Sequence, residues 1–164
     1  MTNIKSTISY FNLQIEIVYY TTSETLVEIV RIIDANIFIS YYNEDDQNHK
    51  KAIKILEDIE NGKYGNAIIS DYIFDEIITV SLMKIKDKQK IIAFGSAILK
   101  SETRILKVNK DIFRKAWQLF LESNLRMSFT DFTNFAILQL LKIKNIATFD
   151  KDFKKIKNIK VIDN

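Results

Sequence analysis

Residues 31–38, Arg31-Ile32-Ile33-Asp34-Ala35-Asn36-Ile37-Phe38 (RIIDANIF), decide how this chain folds. Val30 to Ile33 is a short, mostly β-branched run of the kind that makes a buried strand, and the carboxylate directly behind it is a favoured residue for starting a helix. A strand that hands over to a helix in this way opens an α/β unit. The role of the acid is less plain, because Asp34 stands on the edge of an apolar segment. As a helix cap it would serve backbone amides; as a ligand it would face a cation.

Outward from this stretch the alternation repeats. Gln47 to Glu60 places Ala52, Ile53, Leu56 and Ile59 on one helical face and ends near Gly62. Ala67 to Ile69 reads as a second strand, followed by a helix capped at Ser70 and running to about Ile85. Asp87 opens the next helix, and Arg104 to Val108 is a third strand. Asn109 then caps a helix carrying Ile112, Phe113, Ala116, Trp117 and Phe120. Ser128 or Thr130 caps a further helix to about Ile143. Short strands near Ile146 to Thr148 and Ile159 to Ile162 flank a lysine-rich helical turn. Residues 28–164 are therefore expected to form one α/β domain, with helices on both faces of a mostly parallel sheet of four to five strands. Residues 1–27 read differently, as an N-terminal extension. Leu13, Ile15, Ile17 and Tyr19 alternate as a half-buried strand would, and Thr21-x-x-Glu24 offers a capping box.

Composition narrows the chemistry. A chain of 164 residues with 47% hydrophobic content can bury a core as one domain without staples. The absence of cysteine excludes disulfides, cysteine-ligated zinc and thiol catalysis, and fits a reducing compartment. His49 is the only histidine and lies in the polar run NEDDQNHKK, a poor setting for a Ser-His-Asp triad. No apolar run approaches the roughly 20 residues that span a bilayer. The first 28 residues also lack the basic start, apolar stretch and cleavage site of a signal peptide, so a soluble cytoplasmic protein is expected.

Four carboxylates border the most hydrophobic segments: Asp34 in RIIDANIF, Glu76 in SDYIFDEIITV, Asp131 in SFTDFTNFAI and Asp150 in IATFDKDF. Removing an isolated carboxylate from water costs several kcal/mol, so such acids need a cap, a cationic partner or a metal ion. The chain carries a net charge of +3, yet few of its lysines fall in these segments, which makes a divalent cation a candidate for the missing charge. Asp34 alone reads equally as a strand-to-helix cap. Glu76 is harder to explain structurally, because on its helix it neighbours Ile73, Ile77 and Val80 within the apolar stripe. Asp131 falls in the first turn of its helix, where the dipole favours an acid. Asn134, three residues on, projects from the same face and could hydrogen-bond a metal-bound water. Asp150 begins Asp-Lys-Asp-Phe after an apolar strand; a plain turn explains it equally well, and Asp152 could take its place.

Ile33-Asp34-Ala35-Asn36 after the first strand, Glu76 inside the helix after the second, Ser128-x-x-Asp131 with Ala136 opening the penultimate helix, and Thr148-Phe149-Asp150-Lys151-Asp152-Phe153 after the fourth strand come in a telling order. In that order and spacing, residues 29–162 resemble the PIN-domain ribonucleases, especially the VapC-like toxins of type II toxin–antitoxin pairs. The resemblance implies a three-layer α/β/α sandwich and a Mg²⁺- or Mn²⁺-dependent endoribonuclease whose metal is held by Asp34, Glu76, Asp131 and Asp150. Asn36 and Thr148 would be polar supports. It further implies an RNA substrate, a small antitoxin partner and dimerisation through helices. Two positions depart from the family pattern: Ala35 stands where Thr or Ser is frequent, and the segment before the first strand is unusually long. Lys142, Lys144, Lys151, Lys154, Lys155, Lys157 and Lys160 make a basic C-terminal stretch that mostly reads as solvated surface, with Lys151 the best candidate for a substrate contact.

Competing classes fit less well. A haloacid-dehalogenase-like phosphatase needs a second aspartate where Asn36 stands, and a receiver domain needs an acidic pair near its first strand; neither is present. A PIN fold kept as an inactive RNA- or protein-binding module would be free to lose acids that this chain retains. A housekeeping RNA-processing nuclease would share the same site, and the compact single domain without an appended zinc ribbon favours the toxin.

Overall fold

The computed structural model describes residues 4–10, 13–19 and 30–164. Two strands, β1 (Ile4–Tyr10) and β2 (Leu13–Tyr19), pair antiparallel as a sheet of their own, with Tyr10 opposite Leu13. The alternation of Leu13 to Tyr19 thus belongs to a strand. The half-burial expected of it, and the capping box at Thr21 and Glu24, lie outside the described residues.

The main sheet has five parallel strands: β3 (Val30–Ile33), β4 (Asn66–Ser70), β5 (Arg104–Leu106), β6 (Asn145–Ala147) and β7 (Lys160–Ile162). Between them run α1 (Ala35–Tyr42), α2 (His49–Glu60), α3 (Asp71–Ile85), α4 (Lys88–Lys100), α5 (Lys110–Glu122) and α6 (Phe129–Leu140), with a 3₁₀ turn at Lys151–Lys155. The three-layer α/β/α sandwich expected from sequence is the fold observed. Spatial order across the sheet is β5-β4-β3-β6-β7. The chain therefore moves outward from β3 to β5, then returns to lay β6 on the other side of β3. Because parallel crossovers are right-handed, that reversal sends the α5–α6 connection to the opposite face from α1–α4. It also puts the topological switch point at the carboxyl ends of β3 and β6, the place where open α/β sheets bind ligands.

Local chemistry explains most boundaries. Ser70, Asp87, Asn109 and Ser128 each cap the following helix with a side-chain oxygen. β5 stops at Leu106 rather than Val108, since the Val108 amide donates instead to Asp71 Oδ1 at 2.9 Å. α6 stops at Leu140 rather than Ile143 because Lys142 turns left-handed at φ 55° and the Ile143 amide closes back on the Leu138 carbonyl, a Schellman-type end. On α2 the fully buried positions are Ala52 and Ile55, while Ile53 is only half-buried, so the inward face is rotated from the one expected.

Ile32 and Ile33 are both buried, as a strand covered on two faces requires. Between β3's hydrophobic residues Arg31 is also fully buried, and none of its three guanidinium nitrogens has a hydrogen-bond partner among the described residues. Its guanidinium carbon sits 4.9 Å from the centre of the Tyr64 ring, and burial pushes its pKa down to about 10. Reading residues 30–33 as a plain apolar run overlooked this charge.

Candidate active site

Asp34 occupies the junction between β3 and α1, where its amide donates to the Ala147 carbonyl of neighbouring β6 at 2.9 Å. The residue is 3% exposed and its carboxylate accepts three hydrogen bonds, which leaves one acceptor site open on Oδ1. Oδ1 accepts from the Ala35 amide at 2.7 Å, and Oδ2 accepts from Asn36 Nδ2 and Thr148 Oγ1, each at 2.6 Å. The Thr148 hydroxyl in turn accepts from Asn36 Nδ2 at 2.9 Å and from the Asp150 amide at 3.0 Å, while Asn36 Oδ1 accepts from the Phe149 amide. Asn36 and Thr148, expected as supports, thus tie the β3 end to the β6 end and fix the orientation of Asp34.

Glu76 and Asp131 face this centre from α3 and α6. Burial, then the charge of Asp131 and that of Glu76, push the Asp34 carboxyl up to about 8, against the pull of the Thr148 hydroxyl and the Ala35 amide. Glu76 is raised by burial and by Asp131, and its buried Oε2 has no hydrogen-bond partner among the described residues. Asp131 is raised by burial and by Asp150 and Asp152, with Ser128 opposing. It also closes a capping box: Ser128 Oγ accepts from the Asp131 amide at 3.1 Å, and Asp131 Oδ2 accepts from the Ser128 amide and hydroxyl, both at 2.8 Å. The cap and the site share one side chain.

Asp150 and Asp152 differ in engagement. Asp150 caps the 3₁₀ turn, accepting from the Asp152 amide at 2.8 Å, whereas Asp152 accepts from the Lys155 ammonium in an exposed ion pair. Asn134, one turn beyond Asp131, is fully buried with both amide atoms lacking a partner among the described residues. Lys151 is exposed at the start of the 3₁₀ turn.

The arrangement brings Asp34, Glu76 and Asp131 into mutual electrostatic range, with Asp150 and Asp152 reaching Asp131. It is open, however: among the described residues no three acids stand close enough to enclose an ion. The donor set still fits a hard divalent cation, since it is all oxygen and includes Glu76 Oε2, which lacks a partner among the described residues. Adjoining the acids lies a cleft of about 300 Å³ lined by Asp71, Tyr72, Asp75 and Thr130, which the sequence reading did not single out. The signal was present in the helical spacing of Tyr72 and Glu76.

Comparison with known proteins places this geometry in a family. Residues 31–159 match the model of the PIN domain. A VapC ribonuclease of Archaeoglobus fulgidus is 26% identical over 124 residues, covering 74% of this chain and 78% of the relative. Among solved structures, the Mycobacterium tuberculosis VapC20 toxin, described as cleaving the sarcin–ricin loop, superposes with a TM-score of 0.68 at 22% identity over 76% of this chain and 93% of its own. A toxin–antitoxin complex from Klebsiella pneumoniae gives 0.55 at 21% identity, covering 79% and 95%. Among the described residues no helix is long and apolar enough to cross a membrane.

Proposed function

The chain belongs to the PIN-domain family, and from that premise we propose that it is a Mg²⁺- or Mn²⁺-dependent endoribonuclease, the toxin of a toxin–antitoxin pair. The observation that carries this reading is the placement of Asp34 at the carboxyl ends of β3 and β6, within electrostatic range of Glu76 and Asp131; burial, and after it the charge of neighbouring acids, raises the pKa of all three. Residues 28–164 form the nuclease unit and residues 1–27 an extension to it.

Asp34, Glu76, Asp131 and Asp150 would hold the cation, with Asp150 preferred to Asp152 because the latter is already paired with Lys155. A bound divalent ion supplies a lowered pKa for water and a counter-charge for the scissile phosphodiester. Thr148 and Asn36 orient Asp34, and Asn134 offers its unpaired amide to a water at the site. Glu76, whose Oε2 lacks a partner among the described residues, would accept the proton of the attacking water, and the leaving ribose oxygen would take up a proton from solvent as its bond to phosphorus breaks. No histidine base is needed. Lys151, beside Asp150, contacts substrate phosphate.

The partners follow from the same reading. A small antitoxin would cover the acidic centre, as the toxin–antitoxin nature of the Klebsiella pneumoniae relative supports. The exposed apolar face of α5, with Phe113, Trp117, Phe120 and Leu121, supports a homodimer, and a cytoplasmic location follows from the toxin reading. The test is cleavage of RNA by the purified protein with Mg²⁺ or Mn²⁺: activity should vanish with chelation and in Asp34→Asn or Asp131→Asn. Robust cleavage in excess EDTA would overturn the mechanism. Growth arrest on expression, relieved by the product of an adjacent small gene, separates a toxin from a housekeeping processing enzyme.

A further inference from the structure

The cleft beside the acids is built from the first turns of α3 and α6. Tyr72 lies four residues before Glu76, so the two project from one face of α3, and Thr130 directly precedes Asp131. Whatever occupies the cleft therefore lies next to the reacting phosphate. Its volume of about 300 Å³ is at the lower end of small-ligand sites.

Its lining selects the occupant. Two carboxylates, Asp71 and Asp75, repel a phosphate and accept hydrogen bonds, while the Tyr72 ring offers an aromatic wall. Asp71 is held in place because its Oδ1 accepts from the Tyr72 amide at 3.1 Å and the Val108 amide at 2.9 Å. Asp75 is exposed. Single-stranded RNA is recognised by stacking unpaired bases on aromatic side chains and reading their edges by hydrogen bonds. Guanine presents two adjacent N–H donors on its Watson–Crick edge, a match for a carboxylate. Uracil presents one N–H between two carbonyl oxygens that a carboxylate repels.

We propose that the Asp71–Tyr72–Asp75–Thr130 cleft is a nucleobase subsite that selects guanine beside the cleaved bond. This rests on the endoribonuclease reading and adds the specificity of that same site. Tyr72 stacks on the base, Asp75 accepts from its N–H edge, and Asp71 sets the floor of the cleft.

The experiment uses short oligoribonucleotides that differ only at the nucleotide flanking the cut, assayed with Mn²⁺, together with guanosine and uridine binding followed by NMR. The wild type is expected to cleave the guanine substrate at least tenfold faster than the uracil one, and to bind guanosine at least tenfold more tightly than uridine. Tyr72→Ala should raise KM about tenfold with a smaller change in kcat. Asp75→Asn, at an exposed position, should bring the guanine-to-uracil ratio near one while leaving the circular dichroism of the fold unchanged. Cleavage without base preference, or a ratio unmoved in both variants, overturns the subsite. Selective guanosine binding by a protein that cuts no RNA keeps the subsite and removes the nuclease reading; equal binding of both nucleosides removes the subsite.

Discussion

Thr148 donates its hydroxyl hydrogen to Asp34 Oδ2 at 2.6 Å, joining residues 114 apart in sequence. The same hydroxyl accepts from Asn36 and from the Asp150 amide, so all its capacity is used. Replacing Thr148 with Val keeps the shape and strips these bonds, leaving a buried carboxylate less solvated. Urea unfolding should show a loss of about 1–3 kcal/mol. RNA cleavage should fall at least tenfold, because the orientation of Asp34 is lost along with the bond.

Asp34 also makes stability depend on pH. Its carboxyl is pushed up to about 8 in the folded protein, against an ordinary value near 3.9 in the unfolded chain. Between those values the native state binds the extra proton, so stability falls as pH rises from about 4 to about 8, and the full contribution is present below that window. Glu76 and Asp131, also raised, act with the same sign. In EDTA, thermal midpoints from pH 5 to 8 should decline, and the decline should be shallower in Asp34→Asn. At pH 8 that variant should be the more stable protein and the inactive one. Mg²⁺ or Mn²⁺ at pH 8 should stabilise the wild type and have little effect on Asp34→Asn.

The two C-terminal acids should separate on substitution. Asp152 spends its charge on Lys155, whereas Asp150 does not. Asp150→Asn is expected to lower cleavage at least a hundredfold and weaken Mn²⁺ binding in calorimetry. Asp152→Asn should change either by less than about tenfold. The reverse ranking would move the fourth acid to Asp152.

Arg31 offers a stability test remote from catalysis. A buried charge without a hydrogen-bond partner carries a penalty of several kcal/mol, and contact with the Tyr64 ring returns about 1–2 kcal/mol of it. Desolvation therefore wins, and Arg31→Met should raise unfolding stability by about 1 kcal/mol or more with cleavage unchanged. A fall in urea midpoint would mean that the guanidinium has a partner beyond the described residues.

Much of the layout was legible because it is local. Ser70, Asp87, Asn109 and Ser128 announce helices through bonds that span two or three residues, and the apolar runs between them fix the strands. What failed depended on distant partners. Ile55 rather than Ile53 faces inward on α2 because of how that helix packs, and β5 ends early because Asp71 captures the Val108 amide. At the site, Asp34, Glu76, Asp131 and Asp150 could be singled out by their apolar settings, and the fold brings Asp34, Glu76 and Asp131 into electrostatic range, with Asp150 reaching Asp131. The ion pair that distinguishes Asp152 from Asp150 and the cleft at Tyr72 exist only once the chain is folded.

The return of β6 to the side of β3 also sets an order of events during synthesis. The strand that completes the middle of the sheet, β6, and the Thr148 hydroxyl that locks Asp34 follow β3, β4 and β5 in the chain, so they are made after all three. A nascent chain that has not reached β6 holds Asp34, Glu76 and Asp131 but lacks the Thr148 hydroxyl that orients Asp34. The orientation of Asp34 is therefore set late, when β6 takes its place beside β3.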